Sequence, residues 1–320
     1  MALQWYRSTS ALYTIFSLLV LSILSNLYMY NSSFNESYTV TIPATSSEPQ
    51  TLTTPATSAS ANLKTAPTAN PVYTGGMYDV FLALGDSITQ LGGNSTNNGW
   101  VSLLSHHYRR RMDVLNRGIS GYNTEQARKI VESVLPKPTL PLRKVSKWPG
   151  RDDTFAGATP TVRLMTIFYG ANDSAMKPSW RHVPLDVFSA NLRYMVSLVS
   201  DPESDYYSPE TRIVLVTPPA LGERMYEVSW KGTSEQGVRK NNNTKLYADA
   251  VKEIARDFKL PCVDMWTAVE DKVRKFIGVD PFDGYDEYFV DGMHFSAKGN
   301  QLFFDLLTQT ISSTWPELRP

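Results

Sequence analysis

Short apolar runs alternate along most of this chain with longer stretches in which apolar positions recur every three or four residues. Residues 80–84, 114–116, 162–169, 213–217 and 262–265 have strand length and a β-branched or aromatic bias. The stretches between them predict amphipathic helices. Residues 100–112 place Val101, Leu104 and Tyr108 on one side, and residues 124–135 gather Ala127, Ile130, Val131 and Val134 behind a capping residue. Residues 184–200 open with a proline, whose missing N–H costs nothing in a first turn, and bury Leu185, Phe188, Leu192, Met195 and Val199. Residues 243–258 repeat the stripe with Tyr247, Val251, Ile254 and Phe258. Ser296 caps a last helix carrying Leu302, Phe303, Leu306 and Ile311.

Strand alternating with helix predicts an α/β fold, a central parallel five-stranded sheet covered on both faces to give a three-layer sandwich. Such sheets take ligands at the carboxyl ends of their strands. Ser87, Gly121 and Asn172 each follow a predicted strand, so three segments far apart in sequence are expected at one edge. Residues 136–160, with their prolines and mixed charge, fit no regular element and are expected as a loop over or beside that edge.

The first 76 residues follow neither pattern. A short tail, 1–10, precedes 11–30, which carries no charge and is rich in Leu, Ile, Val, Phe and Tyr; Arg7 comes before it and Glu36 is the first charge after it. About 20 apolar residues match the hydrocarbon thickness, whereas the apolar core of a cleavable signal has about 7 to 15. No A-x-A-like site follows within 28–37, so 11–30 is expected as a transmembrane signal anchor in preference to a removed signal peptide. Arg7 favours a cytoplasmic N-terminus and a lumenal or extracellular domain, with secreted and cytosolic placements as the alternatives. Residues 31–76 are dominated by Ser, Thr, Pro and Ala and cannot bury enough surface to offset chain entropy. They are expected as a disordered stalk, with the folded domain at 77–320. Glycosylation sequons at Asn31, Asn35, Asn94 and Asn242 fit a lumenal setting.

Composition narrows the function classes. The 320 residues carry a formal net charge of zero, and Arg109-Arg110-Arg111 stands alone, so the footprint of a nucleic-acid binder is missing. The only cysteine is Cys262, which excludes an internal disulfide or a thiolate metal cluster and reads as a packing residue. None of the histidines, His106, His107, His182 and His294, falls in a two-ligand helical spacing, so no metal site is expected. His106 and His107 are expected on a solvated helix face. Oligomeric state has no sequence signal here.

The chemistry gathers in four blocks. Gly85-Asp86-Ser87-Ile88-Thr89 stands where the first apolar run stops, and Asp291-Gly292-Met293-His294 lies near the other end of the chain. A serine hydroxyl needs a neighbour to take its proton, and that neighbour needs a third group to hold its tautomer. Ser87, His294 and Asp291 supply these roles. Asn116-Arg117-Gly118-Ile119-Ser120-Gly121 follows the second strand, and Gly170-Ala171-Asn172-Asp173 the third. The N–H groups of Ser87 and Gly121 and the Asn172 amide are candidate donors for the negative charge that acyl transfer builds on a carbonyl oxygen. Alone, Asp86-Ser87 reads as a turn capping a helix, Asn172-Asp173 as a turn, and His294 as a satisfied polar residue; their joint occurrence is what carries the chemical reading. Asp173 is assigned a bracing role. Trp100, Trp180, Phe289 and Met293 are expected in the core and not in a pocket. No G-x-S-x-G elbow occurs.

These blocks, in this order, resemble the SGNH or GDSL hydrolase superfamily, whose naming residues match Ser87, Gly121, Asn172 and His294. The fuller strings Arg117-Gly118-Ile119-Ser120-Gly121-Tyr122, Phe168-Tyr169-Gly170-Ala171-Asn172-Asp173 and Asp291-Gly292-Met293-His294-Phe295-Ser296-Ala297-Lys298-Gly299 look like the isoamyl acetate-hydrolysing esterase group. The resemblance covers residue 77 to about 316. It implies a flavodoxin-like SGNH fold, a Ser87–His294–Asp291 triad, an oxyanion hole from Ser87, Gly121 and Asn172, and hydrolysis of small acetate-type esters without a cofactor. Members of that group begin close to the first strand, so the long N-terminal extension is a departure. Two other functions stay open: a membrane-tethered glycan or glycoprotein deacetylase or acyltransferase, and a catalytically silent anchored binding module. Asn172-Asp173-Ser174 is itself a sequon, which sets a lumenal placement against an oxyanion role for Asn172.

Overall fold

Five parallel strands pair in the order β2-β1-β3-β4-β5, with β1 at Asp79–Gly85, β2 at Met112–Gly118, β3 at Val162–Phe168, β4 at Arg212–Val216 and β5 at Cys262–Val263. The computed structural model describes residues 78–135 and 161–320. The expected anchor, the stalk and the 136–160 loop lie outside the described residues. Among the described residues no helix is long and apolar enough to cross a membrane.

Successive strand residues point to opposite faces, and the two faces carry separate cores. Phe81, Ala83, Val214 and Val216 pack on one side against α2 (Trp100–His107), α7 (Met265–Val273) and α8 (Ala297–Thr314). Leu82, Leu84, Ile213 and Leu215 pack on the other against α3 (Thr124–Val134), α4 (Leu185–Ser200) and α6 (Asn241–Asp257). The result is the expected three-layer α/β sandwich.

Tertiary structure moved several boundaries. The helix expected through Met112 stops at His107, because a turn with Arg110 at φ 64° reverses the chain into β2, which begins at Met112. The strand expected to reach Met265 ends at Val263, since Asp264 already caps α7 by accepting from the Thr267 N–H at 3.1 Å. Asn123 caps α3, in a reciprocal box with Gln126. Ser296 caps α8 as expected, accepting from Gly299 at 3.2 Å. Three helices carry no apolar stripe that the sequence announced, α1 (Ser87–Leu91), α5 (Glu223–Ser229) and α7, although the capping pattern of Asp86-Ser87 does point to the first. The solvated face expected for the histidine pair holds for His106 only. His107 is half-buried with its ring edge against Tyr108 and Phe304, and burial, with the neighbouring His106 charge, lowers its pKa. Cys262 is partly buried against the second core, and burial pushes its thiol up to about 12.

Strand register brings the candidate residues together. Gly85, the last residue of β1, pairs with Gly118 of β2 and Phe168 of β3, so the loops after all three strands leave from one edge. The chain turns to opposite sides of β1 to form β2 and β3, which makes this edge a topological switch point. Gly118 lets α1 sit against it: a Cβ there would stand 2.1 Å from the Gln90 backbone nitrogen.

Candidate active site

The first block is a tight corner between β1 and α1. A Cβ on Gly85 would lie 2.0 Å from Thr89 Oγ1 and 2.8 Å from the Phe168 carbonyl oxygen, so only glycine lets the strand end this close to its own helix. Asp86 caps α1, its Oδ1 accepting from the Ile88 N–H at 2.9 Å. Burial raises the Asp86 pKa to about 6 against that hydrogen bond and the charges of His294 and Arg239. Ser87 is the first residue of the helix, where its N–H has no intrahelical acceptor. The capping expected of Asp86-Ser87 falls to Asp86, which leaves the Ser87 hydroxyl outside the cap.

The last block is a turn pinned between a short antiparallel bridge and α8. Phe289 pairs with Phe295, and the Val290 N–H donates to the His294 carbonyl at 2.9 Å. Gly292 takes φ +86° and comes so close to α5 that a Cβ would meet the Gly222 carbonyl oxygen and the Tyr226 nitrogen at 2.6 Å. The turn presents His294 to Ser87, with Nε2 2.9 Å from Ser87 Oγ, and His294 Nδ1 lies 2.7 Å from Asp291 Oδ2. Asp291 Oδ1 accepts from the backbone N–H groups of Met293 at 3.0 Å and His294 at 2.8 Å. Burial alone would raise the Asp291 carboxyl, but hydrogen bonds from the His294 ring and these two N–H groups hold it below its usual value. It is thus an anion facing an imidazole that faces a hydroxyl.

The second and third blocks meet beside Ser87. The Ile119 N–H donates to the Gly85 carbonyl at 3.0 Å, and the chain then turns through Gly121 at φ +80°, a conformation that favours glycine. Asn172, 2% exposed, donates from Nδ2 to the Tyr122 carbonyl at 3.0 Å, which ties the loop after β3 to the loop after β2. Asp173 braces the same junction by accepting from the Thr124 N–H at 2.8 Å and from its hydroxyl. Burial pushes the Asp173 carboxyl up to about 7 against those bonds. With Asn172 closed off and bonded at both ends of its amide, the folded chain does not offer this sequon for modification; Asn94 and Asn242 are exposed.

Sequence reading missed the residues around the Asn172 amide. Arg239, just before α6, donates from Nη2 to Asn172 Oδ1 at 3.1 Å and also bonds the Ala171 carbonyl. Glu235 pairs with both Arg239 and Arg181, and the Arg181 guanidinium lies 4.5 Å from the centre of the Trp180 ring. Arg239 and Glu235 belong to no motif and no apolar stripe, so burial in three dimensions was the only signal. Of the four apolar candidates, Trp100, Phe289 and Met293 are buried as expected. Trp180 is the exception, 61% exposed with its ring edge 3.8 Å from where a Cβ on Gly121 would stand. Among the described residues no group of three or more His, Cys, Asp or Glu could hold a metal ion.

Residues 83–302, which include all four blocks, match the model of the GDSL-like lipase/acylhydrolase family. The chain belongs to that family. It is a hydrolase of the esterase class. A mouse relative, isoamyl acetate-hydrolyzing esterase 1 homolog, is 37% identical over 238 residues, covering 72% of this chain and 82% of the mouse protein. The isoamyl acetate-hydrolyzing esterase of Saccharomyces cerevisiae is 28% identical over 251 residues, covering 76% of this chain and 90% of its own. Among solved structures, a lipase/acylhydrolase from Enterococcus faecalis is 21% identical, with a TM-score of 0.47, over 74% of this chain and 96% of that one. The mouse and yeast matches both fall in the esterase group that the motif strings resemble.

Proposed function

We propose that this GDSL-family hydrolase cleaves short-chain carboxylic esters of the acetate type through an acyl-enzyme on Ser87. The observation that carries the reading is the unbroken hydrogen-bond path from Ser87 Oγ through the His294 ring to Asp291, 2.9 Å and 2.7 Å in its two links. Ser87 attacks the ester carbonyl while His294 Nε2 takes its proton. Asp291 keeps the Nδ1–H in place and offsets the charge that the ring acquires. The oxyanion is met by the N–H groups of Ser87 and Gly121 and by the Asn172 amide. His294 returns the proton to the leaving alkoxide, and water then releases the acid by the same steps. The names of the mouse and yeast relatives support an acetate ester as substrate.

The test is p-nitrophenol release from p-nitrophenyl acetate, acetate release from isoamyl acetate, and peptide mapping after treatment with a fluorophosphonate. Turnover of both esters and a phosphonyl adduct on Ser87 are expected. Labelling of another residue, or no turnover of either ester by the untreated enzyme, would reject the reading.

The uncharged run 11–30 and the Ser/Thr/Pro-rich stretch after it support a hydrolase tethered to a membrane with its domain on the lumenal or extracellular side. Exposed sequons at Asn94 and Asn242 fit that placement. Resistance of the native protein to carbonate extraction, with a mass shift on glycosidase treatment, is expected; extraction with no shift would place it elsewhere.

A further inference from the structure

An oxyanion-hole amide is useful only if its N–H points the right way, and the side chain of asparagine can turn over. In this chain it is clamped. Tyr122 offers Asn172 a carbonyl, which can only accept, and Arg239 offers a guanidinium, which can only donate. Reversing the amide would oppose two donors on one side and two acceptors on the other. Since the amide is planar, fixing its oxygen and one N–H also fixes the direction of the second N–H, the one left for a ligand.

Arg239 is held as firmly as the group it holds. Its Nη1 bonds the Ala171 carbonyl, its Nε donates to the Tyr226 hydroxyl at 3.0 Å, and Nη2 faces Glu235 at 3.5 Å. Arg239, Asn172, Tyr226 and Glu235 are 3%, 2%, 0% and 7% exposed. Glu235 also answers Arg181, so one carboxylate is shared by two guanidinium groups, and the Arg239 cation stands directly behind the amide. In a water-poor setting such a charge polarises the amide and strengthens its remaining N–H as a donor.

We infer that Arg239 is a positioning residue for the ester hydrolysis proposed above, acting through the Asn172 amide and resting on that reading of the site. It touches no substrate. Its contribution grows as negative charge develops on the carbonyl oxygen, so it appears in kcat and not in KM. Lysine cannot replace it, because one ammonium cannot reach the Ala171 carbonyl, Asn172 Oδ1 and the Tyr226 hydroxyl from a single point.

The test is a double-mutant cycle in the full chain, with p-nitrophenyl acetate as the probe. Asn172→Ala is expected to lower kcat about 100-fold, the usual loss for one oxyanion donor. Arg239→Met is expected to lower kcat about 30-fold with KM within about twofold of wild type, a fraction of that same donor's worth. In the Asn172→Ala background Arg239→Met should cost no more than about twofold further, because two residues acting through one contact do not add. Equal losses in both backgrounds would overturn the proposal and leave Arg239 a purely structural residue. Should Arg239→Met fail to show a native circular dichroism spectrum, Arg239→Lys is read in the same cycle, with a loss of about tenfold expected only when Asn172 is present. Failure of both variants to fold would also overturn the proposal. Ser87→Ala runs alongside: retained activity there rejects the catalytic reading itself, whereas lost activity with an additive cycle rejects only the role of Arg239.

Discussion

Ser87→Ala should lower kcat by on the order of 10⁶, with the residual rate coming from binding and oxyanion stabilisation. The size follows from the site's chemistry: without the hydroxyl there is no acyl-enzyme, and His294 has no proton to take. The fold should be spared. Among the described residues the Ser87 side chain bonds only His294 Nε2, and the cap on α1 is supplied by Asp86, so the helix keeps its cap. Stopped-flow measurement with p-nitrophenyl acetate should show the burst of p-nitrophenol abolished while the thermal transition stays in place. Activity within tenfold of wild type would remove Ser87 as nucleophile.

Asp291→Asn should lower kcat by about 10⁴ without changing KM, through the wrong imidazole tautomer. The reason lies in how Asp291 is held. Its Oδ1 accepts from two backbone N–H groups, of Met293 and His294, while Oδ2 faces His294 Nδ1. Asparagine must keep its carbonyl oxygen toward those two donors, which turns its NH₂ toward Nδ1. Nδ1 then has to accept, the ring proton moves to Nε2, and the nitrogen facing Ser87 becomes a donor that cannot take the hydroxyl proton. Nitrogen-15 NMR of the His294 ring should show the Nε2–H tautomer in the variant and Nδ1–H in the wild type. A variant with the wild-type tautomer and unchanged kcat would show that Asp291 does not set the ring.

Much of this architecture was legible because the signals were local. Strand runs such as Phe81 to Leu84 and the stripe of Leu185, Phe188, Leu192, Met195 and Val199 carry their periodicity in contiguous sequence, and the structure buries all of those residues except Leu185, which stays exposed in the first turn of α4. The helix that ends at His107 was misread because its apolar spacing runs on into Tyr108 and Met112, which are buried by the following turn and strand. β5 was read too long for a similar reason: Met265 is a core residue, but of α7. His107 was misplaced because its partner Phe304 comes from α8, nearly two hundred residues away along the chain. Trp180 ran the other way, a large apolar residue that the fold leaves exposed above Gly121.

By itself the sequence determined the succession of the five strands and of the helices with a long apolar stripe, the residues in the four chemical blocks, and the proximity of Asp291 to His294, because each depends on spacing within a few residues. It also settled which residue types stand where backbones crowd, as at Gly85 and Gly118. Only tertiary structure decided that Ser87 and His294 come within 2.9 Å across 207 positions of chain, and that the Asn172 amide is held between Tyr122 and Arg239. Those contacts depend on sheet register and on which loops close over one edge. Such relations arise from packing between distant segments, and no short window of residues contains them.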